Sequence, residues 1–178
     1  DVGDRGFGHQ SEELAVERVG GQGAQQVDIR IVAATNRSLQ SLVADGALRP
    51  SVRAARDRGV LLDIGHGMSG FSLEVARSLI ELGELPDTIS SDLHTYSRPR
   101  GVDMPTVLSK FLALGVPLEA ALARATLAPA RAVGLDTLGV GTLDPGAPAD
   151  ISLFRLEDRP TTFGDGFGGE ARGEQVLA

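Results

Sequence analysis

Thr88-Ile89-Ser90-Ser91-Asp92-Leu93-His94-Thr95 decides how this chain is read. Its opening residues favour a strand, and Asp92 falls where strand gives way to loop, with an imidazole two residues on. A second run of the same kind, Val60-Leu61-Leu62-Asp63-Ile64-Gly65-His66-Gly67, lies upstream. Between them an apolar stripe at helical spacing (Phe71, Val75, Leu79, Leu82) predicts a helix, capped by Ser69 or Ser72 and ended by Gly83 before Pro86. Strand, helix, strand is the order of a parallel βαβ unit, so the fold class is α/β. In an α/β barrel, catalytic groups collect at the C-terminal ends of strands.

Outward from this unit the pattern is coarser. A short helix is expected over residues 11–18, a strand over 27–32 and a helical turn or two over 38–45. Downstream, helices are expected over 104–114 and 117–133, the second kinked or split by Pro129. A strand is expected over 149–154, followed by short strands in a Gly-rich tail. Gly20, Gly21 and Gly23 follow no strand and precede no Lys-Ser/Thr, so a phosphate-cradling loop is excluded.

Composition sets the outer limits. The chain has 178 residues, a net charge of −7 and 4% aromatic residues. That charge argues against nucleic acid as a partner, because phosphate binding needs clustered cations. No apolar run is long enough to span a membrane. With no cysteine there is neither a disulfide nor a thiolate metal site. The first residue is Asp with no signal-like segment before it, so the chain reads as a fragment or trimmed product, in the cytoplasm. It holds three histidines (His9, His66, His94) and one lysine, Lys110. Two-metal hydrolase sites usually draw on more histidines than that.

Asp92 is the leading catalytic candidate: a carboxylate at a strand's end can ligate a divalent metal or take a proton from attacking water. Without chemistry it is a turn or N-cap aspartate. His66 between two glycines can project into a cleft, or be a loop histidine satisfied by backbone groups. His94 can serve a substrate or simply hydrogen-bond a carboxylate. Lys110, inside an expected helix and away from any strand end, reads as structural, and His9 as solvated.

From about residue 51 onward the chain resembles the C-terminal part of amidohydrolase-superfamily metal-dependent hydrolases, dihydroorotase-like deacetylases in particular. The stretches that carry this are VRAARDRGVLLDIGHG (52–67), LPDTISSDLHT (85–95), LSKFLALGVPLEAALARATLAPARAVGL (108–135) and GTLDPGAPADISLFRL (141–156). The A-T-x-x-P-A helix followed by G-x-L-x-P-G-x-x-A-D-I is the most specific part, and the tail FGDGFGGEARGEQVL (163–177) is similar to that family's closing strands.

The resemblance implies the last strand–helix units of a partial (β/α)8, TIM-type barrel over 51–135 and part of a small β-sandwich over 136–178. It implies zinc-activated water cleaving an N-acyl or cyclic amide C–N bond in a small-molecule substrate. Asp92 matches the family's last-strand aspartate, which ligates metal and shuttles the proton; His66, Gly67 and His94 fall on the substrate side. The family's early His-x-His pair, bridging lysine and mid-barrel histidines have no counterpart, so no catalysis is expected of this chain alone. An exposed barrel edge and an uncovered apolar face should favour association.

Residues 12–50 resemble something else. ERVGG (17–21) and VDIRIVAATNRSLQSLVADGALR (27–49) are similar to the AAA+ domain of bacterial enhancer-binding transcription activators, with Asn36 at the position that senses the γ-phosphate. The Walker motifs are missing. The alternatives to an amidohydrolase fragment are therefore a remnant of an ATP-dependent activator and a non-catalytic chimera joined near Pro50, whose first 50 residues are that remnant or an irregular segment.

Overall fold

A computed structural model describes residues 15–17, 24–26, 43, 46–67, 70–93, 95 and 102–178. The chain divides into two compact units, Asp1–Ser38 and Leu39–Ala178. His9, His94, the strand expected over 27–32 and most of the turn expected over 38–45 lie outside the described residues.

In the first unit β1 (Ala15–Glu17) and β2 (Ala24–Gln26) pair antiparallel, Val16 opposite Gln25. The helix expected over 11–18 is thus, where described, a strand. A helix of two turns is marginal by itself, whereas cross-strand pairing satisfies the backbone at once.

The second unit opens with α1 (Leu48–Arg56), then β3 (Asp63–Gly65), α2 (Leu73–Glu81) and β4 (Thr88–Ser90). β3 and β4 pair parallel with Asp63 opposite Thr88, Ile64 opposite Ile89 and Gly65 opposite Ser90, so the βαβ reading holds. β3 starts at Asp63, three residues later than the apolar run suggests, because its partner strand is only three residues long. Just before it, the Leu62 carbonyl accepts from Asp87 and Thr88 N–H, and the Leu62 N–H donates to Asp87 Oδ2.

α2 is built as its sequence dictates. Ser72 caps it by accepting from Val75 N–H at 3.3 Å, and Gly83 follows its end with φ +73°. Val75 and Leu79 pack on Leu48 and Val52 of α1, while Leu73 and Ala76 turn to the main core. Outside that seam, Glu84 receives Arg53 at 2.9 Å and Arg56 at 2.7 Å.

α3 (Met104–Ala113) is capped by Asp103, which accepts from Thr106 N–H. Its Val107, Leu108 and Phe111 form the centre of the core with Phe71, Ile89, Val116 and Ala121. The long helix expected next is two: α4 (Leu118–Ala125) and α5 (Leu127–Val133). The break falls at Thr126 (φ −128°, ψ −83°), not at Pro129 itself. The proline ring excludes the carbonyl four residues back, that of Ala125, so the chain leaves the helix there; Pro129 then sits in the first turn of α5, where no N–H is missed.

β5 (Leu156–Gly164) and β6 (Glu170–Leu177) close the unit as an antiparallel hairpin, irregular between Asp158 and Thr161 around Pro160. β6 lies on α3. A Cβ on Gly173 would stand 3.0 Å from the Ala113 Cβ, and the Leu177 N–H donates to the buried Ser109 hydroxyl at 2.9 Å. The strand expected over 149–154 does not form. Arg155 and Ala178 exchange two backbone bonds, the ladder ends there, and among the described residues nothing pairs with the backbone upstream, so Leu153 is 92% exposed. Sequence marks that segment as β-prone, but a strand exists only with a neighbour.

The result is a partial α/β fold of helices and two-stranded sheets, with no complete barrel among the described residues. No described helix is long and apolar enough to cross a membrane.

Candidate functional site

The alternation of β3 and β4 sorts their side chains onto two faces. Ile64 and Ile89 face the helices and the core. The other face is polar: Asp63 Oδ1 accepts from the Thr88 hydroxyl at 2.7 Å and Oδ2 from the Ser90 hydroxyl at 2.6 Å. An apolar inner face was expected; these hydroxyl–carboxylate pairs make it polar instead.

Asp92 stands at the end of this face. Its backbone is left-handed, with φ +46°, the one such non-glycine residue among those described. A Cβ built on Gly65 would meet the Asp92 Cβ at 3.3 Å, and one built on Gly67 would meet Asp92 Oδ2 at 2.5 Å. Gly67 itself has φ +49°. Gly67 therefore gives the turn its left-handed backbone, and the Asp92 side chain occupies the room that the missing side chains of Gly65 and Gly67 leave. The His66 and Gly67 N–H groups donate to the Ser90 and Ser91 carbonyls at 3.1 Å each, which carries the pairing past the last ladder residue and fixes Asp92 over the turn.

His66 points elsewhere. It is 6% exposed and stacked on Phe71 with ring centroids 4.9 Å apart. Its Nδ1 lies 2.8 Å from the Gly67 carbonyl and its Nε2 2.7 Å from Lys110 Nζ. The arrangement requires a proton on Nδ1 and a lone pair on Nε2, donated to by the lysine. Burial is the main cause holding the imidazole pKa below its usual value, with Lys110 adding to it against the Gly67 carbonyl and Asp165. Gly67 and Asp92 are thus in contact, whereas His66 uses both nitrogens on Gly67 and Lys110.

Lys110 was expected to stand apart from any strand end. In fact it is 5% exposed and reaches the His66 that follows β3, while also donating to the Gly164 carbonyl at 2.6 Å. Its pKa is pulled down by burial, partly offset by Asp165. Asp165, in the β5–β6 turn, accepts from the N–H groups of Leu73, Phe167 and Gly169 at 2.7–2.8 Å. Burial raises its pKa, but those donors and Lys110 outweigh it, and the net shift is downward.

Asp63, Lys110 and Asp165 were not singled out for the roles they hold. Asp63 had one legible signal, a carboxylate inside an apolar run at the same parity as Gly65. The other two had none, since neither spacing nor composition shows which way a side chain at mid-helix or in a hairpin turn will point.

As to a metal, among the described residues no three His, Asp or Glu side chains gather closely enough to hold one. Zinc takes four ligands, of which three come from protein in hydrolytic sites. Asp92 offers one carboxylate, and both oxygens of Asp63 are engaged by hydroxyls, so the described donors do not complete a zinc site.

The chain's relatives fall in two groups. The family model described as the Sigma-54 interaction domain matches residues 10–53. A deacetylase of Agrobacterium fabrum is 36% identical over 137 residues, covering 76% of this chain and 33% of that protein. Among solved structures, a dihydroorotase (TM-score 0.66, 36% identity) matches 76% of this chain and 35% of its own, and an adenine deaminase (TM-score 0.65, 29% identity) matches 70% and 34%. The chain spans about a third of the length of each of these three proteins. Its C-terminal part is amidohydrolase-like, and it follows an N-terminal segment that matches the Sigma-54 interaction domain.

Proposed function

We propose that this chain carries the closing portion of a metal-dependent amidohydrolase that cleaves an N-acyl or cyclic amide C–N bond of a small molecule. Residues 51–135 would be the last strand–helix units of a TIM-type barrel, 136–178 part of its small β-sandwich, and 1–50 an unrelated AAA+-like remnant. Asp92 would offer one carboxylate to zinc and hold the proton of the attacking water, with Gly67 and His94 on the substrate side. A cytoplasmic setting goes with this reading, and the open edges of β3 and β4 would be where further chain is added.

The observation that carries the proposal is the seat of Asp92. Its carboxylate stands exposed over a glycine turn, at the C-terminal ends of two parallel strands, in a chain 36% identical to a deacetylase.

By itself the chain should release no acetate from N-acetyl substrates with added zinc. Mixed with the N-terminal two-thirds of the Agrobacterium deacetylase, it should restore release, and Asp92→Asn should abolish that restoration. Restoration that survives Asp92→Asn would refute the role given to this residue. Zinc-dependent release by the chain alone would show that it holds a complete site. A nucleotide-dependent thermal shift would favour the activator reading of the N-terminal segment instead.

A further inference from the structure

We propose that Lys110 and His66 form a pH-dependent clasp, which holds the β5–β6 turn against the end of β3 at neutral pH and releases it in mild acid. The inference does not depend on the enzymatic reading, because it rests on packing that the chain already has.

The geometry is a chain of three contacts. The Gly67 carbonyl accepts from His66 Nδ1–H, His66 Nε2 accepts from Lys110 Nζ, and Lys110 Nζ donates again to the Gly164 carbonyl. The lysine thereby ties the residue after β3 to the last residue of β5, from a position on α3. Only the middle contact needs a neutral imidazole, since a protonated ring still donates from Nδ1 to Gly67 and the bond from the lysine to Gly164 does not involve the ring. A second proton on His66 would sit on Nε2, the atom 2.7 Å from a buried ammonium, and remove the acceptor. Two cations at that distance, away from bulk water, repel each other.

The charged groups that reach the ring are few among the described residues. Lys110 comes from α3 and Asp165 from the β5–β6 turn. Phe71, ahead of α2, offers its ring face, and β4 offers the Ser90 carbonyl to the His66 N–H. Asp165 is the one carboxylate, and its oxygens already receive Leu73, Phe167 and Gly169. It cannot turn to neutralise an imidazolium without giving up the turn it builds. Lys110 must therefore leave, and the Gly164 carbonyl loses its donor with it.

The sign follows from burial. The folded pKa of His66 lies below its ordinary 6.5, so above that pH neither folded nor unfolded chain carries the proton. As pH falls below 6.5 the unclasped state protonates first, and the clasped state is progressively disfavoured. Each pH unit in that window multiplies opening about tenfold until the folded pKa is reached.

The test is hydrogen exchange on the full chain between pH 7.5 and 5, corrected for the intrinsic rate, with His66 followed by its ring proton resonance. Amides of Gly169–Leu177, and the Leu73 N–H that donates to Asp165 of the turn, should exchange about tenfold faster per unit in the acid window, with α1 unchanged. His66→Gln, which stays neutral, should flatten the profile, as should Lys110→Met, which removes the second cation. Hairpin protection that is flat in the wild-type chain would overturn the clasp, and so would an acid loss that persists in either folded variant. If neither variant folds, the wild-type midpoints decide: hairpin opening that does not coincide with the ring titration of His66 refutes it.

Discussion

The carboxylate of Asp165 binds the first N–H of α2, that of Leu73, at 2.7 Å across 92 residues of sequence. An anion is favoured at a helix N-terminus, and Asp165 also gathers two N–H groups of its own turn, so one side chain both builds the β5–β6 turn and docks it. Ser72 serves Val75 N–H in the same first turn, and α2 thus starts with two of its orphan donors satisfied from different parts of the chain.

Asp165→Ala should therefore cost more than an exposed turn residue ordinarily does. Three backbone donors lose a charged acceptor, and hydrogen bonds to charged groups contribute about 1.5–3 kcal/mol when lost together with their geometry. A urea midpoint lowered by an amount equivalent to about 2 kcal/mol is expected. The native carboxyl is held below its ordinary value, so its contribution is complete above the unfolded pKa of 3.8 and disappears as pH falls through the lower folded one. The variant's stability should accordingly fall less steeply than the wild type's below pH 4; parallel acid profiles would show that Asp165 is not linked to folding.

Gly67 and Gly83 form a natural comparison. Both have positive φ, +49° and +73°, but a Cβ on Gly83 meets nothing within 4 Å while one on Gly67 meets the Asp92 carboxylate at 2.5 Å. Gly83→Ala should cost only the left-handed backbone penalty of about 1–2 kcal/mol. Gly67→Ala adds a contact that can be relieved only by moving Asp92. A crystal structure of Gly67→Ala should show the carboxylate displaced from the turn, and the variant should be the less stable of the two. Equal destabilisation with Asp92 in place would mean that the turn and the aspartate are independent.

What the sequence made legible was whatever depends on neighbours along the chain. The Ser72 cap, the Gly83 stop and the Val75–Leu79 stripe predict α2 closely, and the polarity change at Asp92 marks the end of β4. What it could not show depends on partners far away. The segment 149–154 has the composition of a strand and no ladder to join. Lys110 sits where helical periodicity allows either core or surface, and its burial is decided by His66 and Gly164, 44 and 54 residues distant. The polar face of β3 and β4 follows from the pairing of Asp63 with Thr88, a register that no local pattern fixes. The place of Asp92 could be read, but not the aim of His66.

Glu84 provides a test of how α1 is held. Its side chain is only 8% exposed and receives Arg53 and Arg56 at 2.9 and 2.7 Å, with Arg49 at 3.8 Å. The Arg53 hydrogen bond is the main cause that lowers the Glu84 pKa below its ordinary 4.5, with the charges of Arg53, Arg56 and Arg49 adding to it against partial burial. Its stabilising effect is present above pH 4.5 and is lost as pH falls through the lowered value. Glu84→Gln keeps the shape and removes the charge, leaving guanidinium groups crowded about a neutral amide, with Asp87 at 3.4 Å as the remaining anion on Arg56. The variant should melt at lower temperature at pH 7, and its melting temperature should approach that of the wild type as pH falls through the lowered value and the native carboxyl itself becomes protonated. Hydrogen exchange should place the loss in α1, whose apolar anchors on α2 are only Leu48 and Val52. A variant that melts like the wild type at pH 7 would show that those two side chains alone hold the helix, and that the arginines are better solvated than paired.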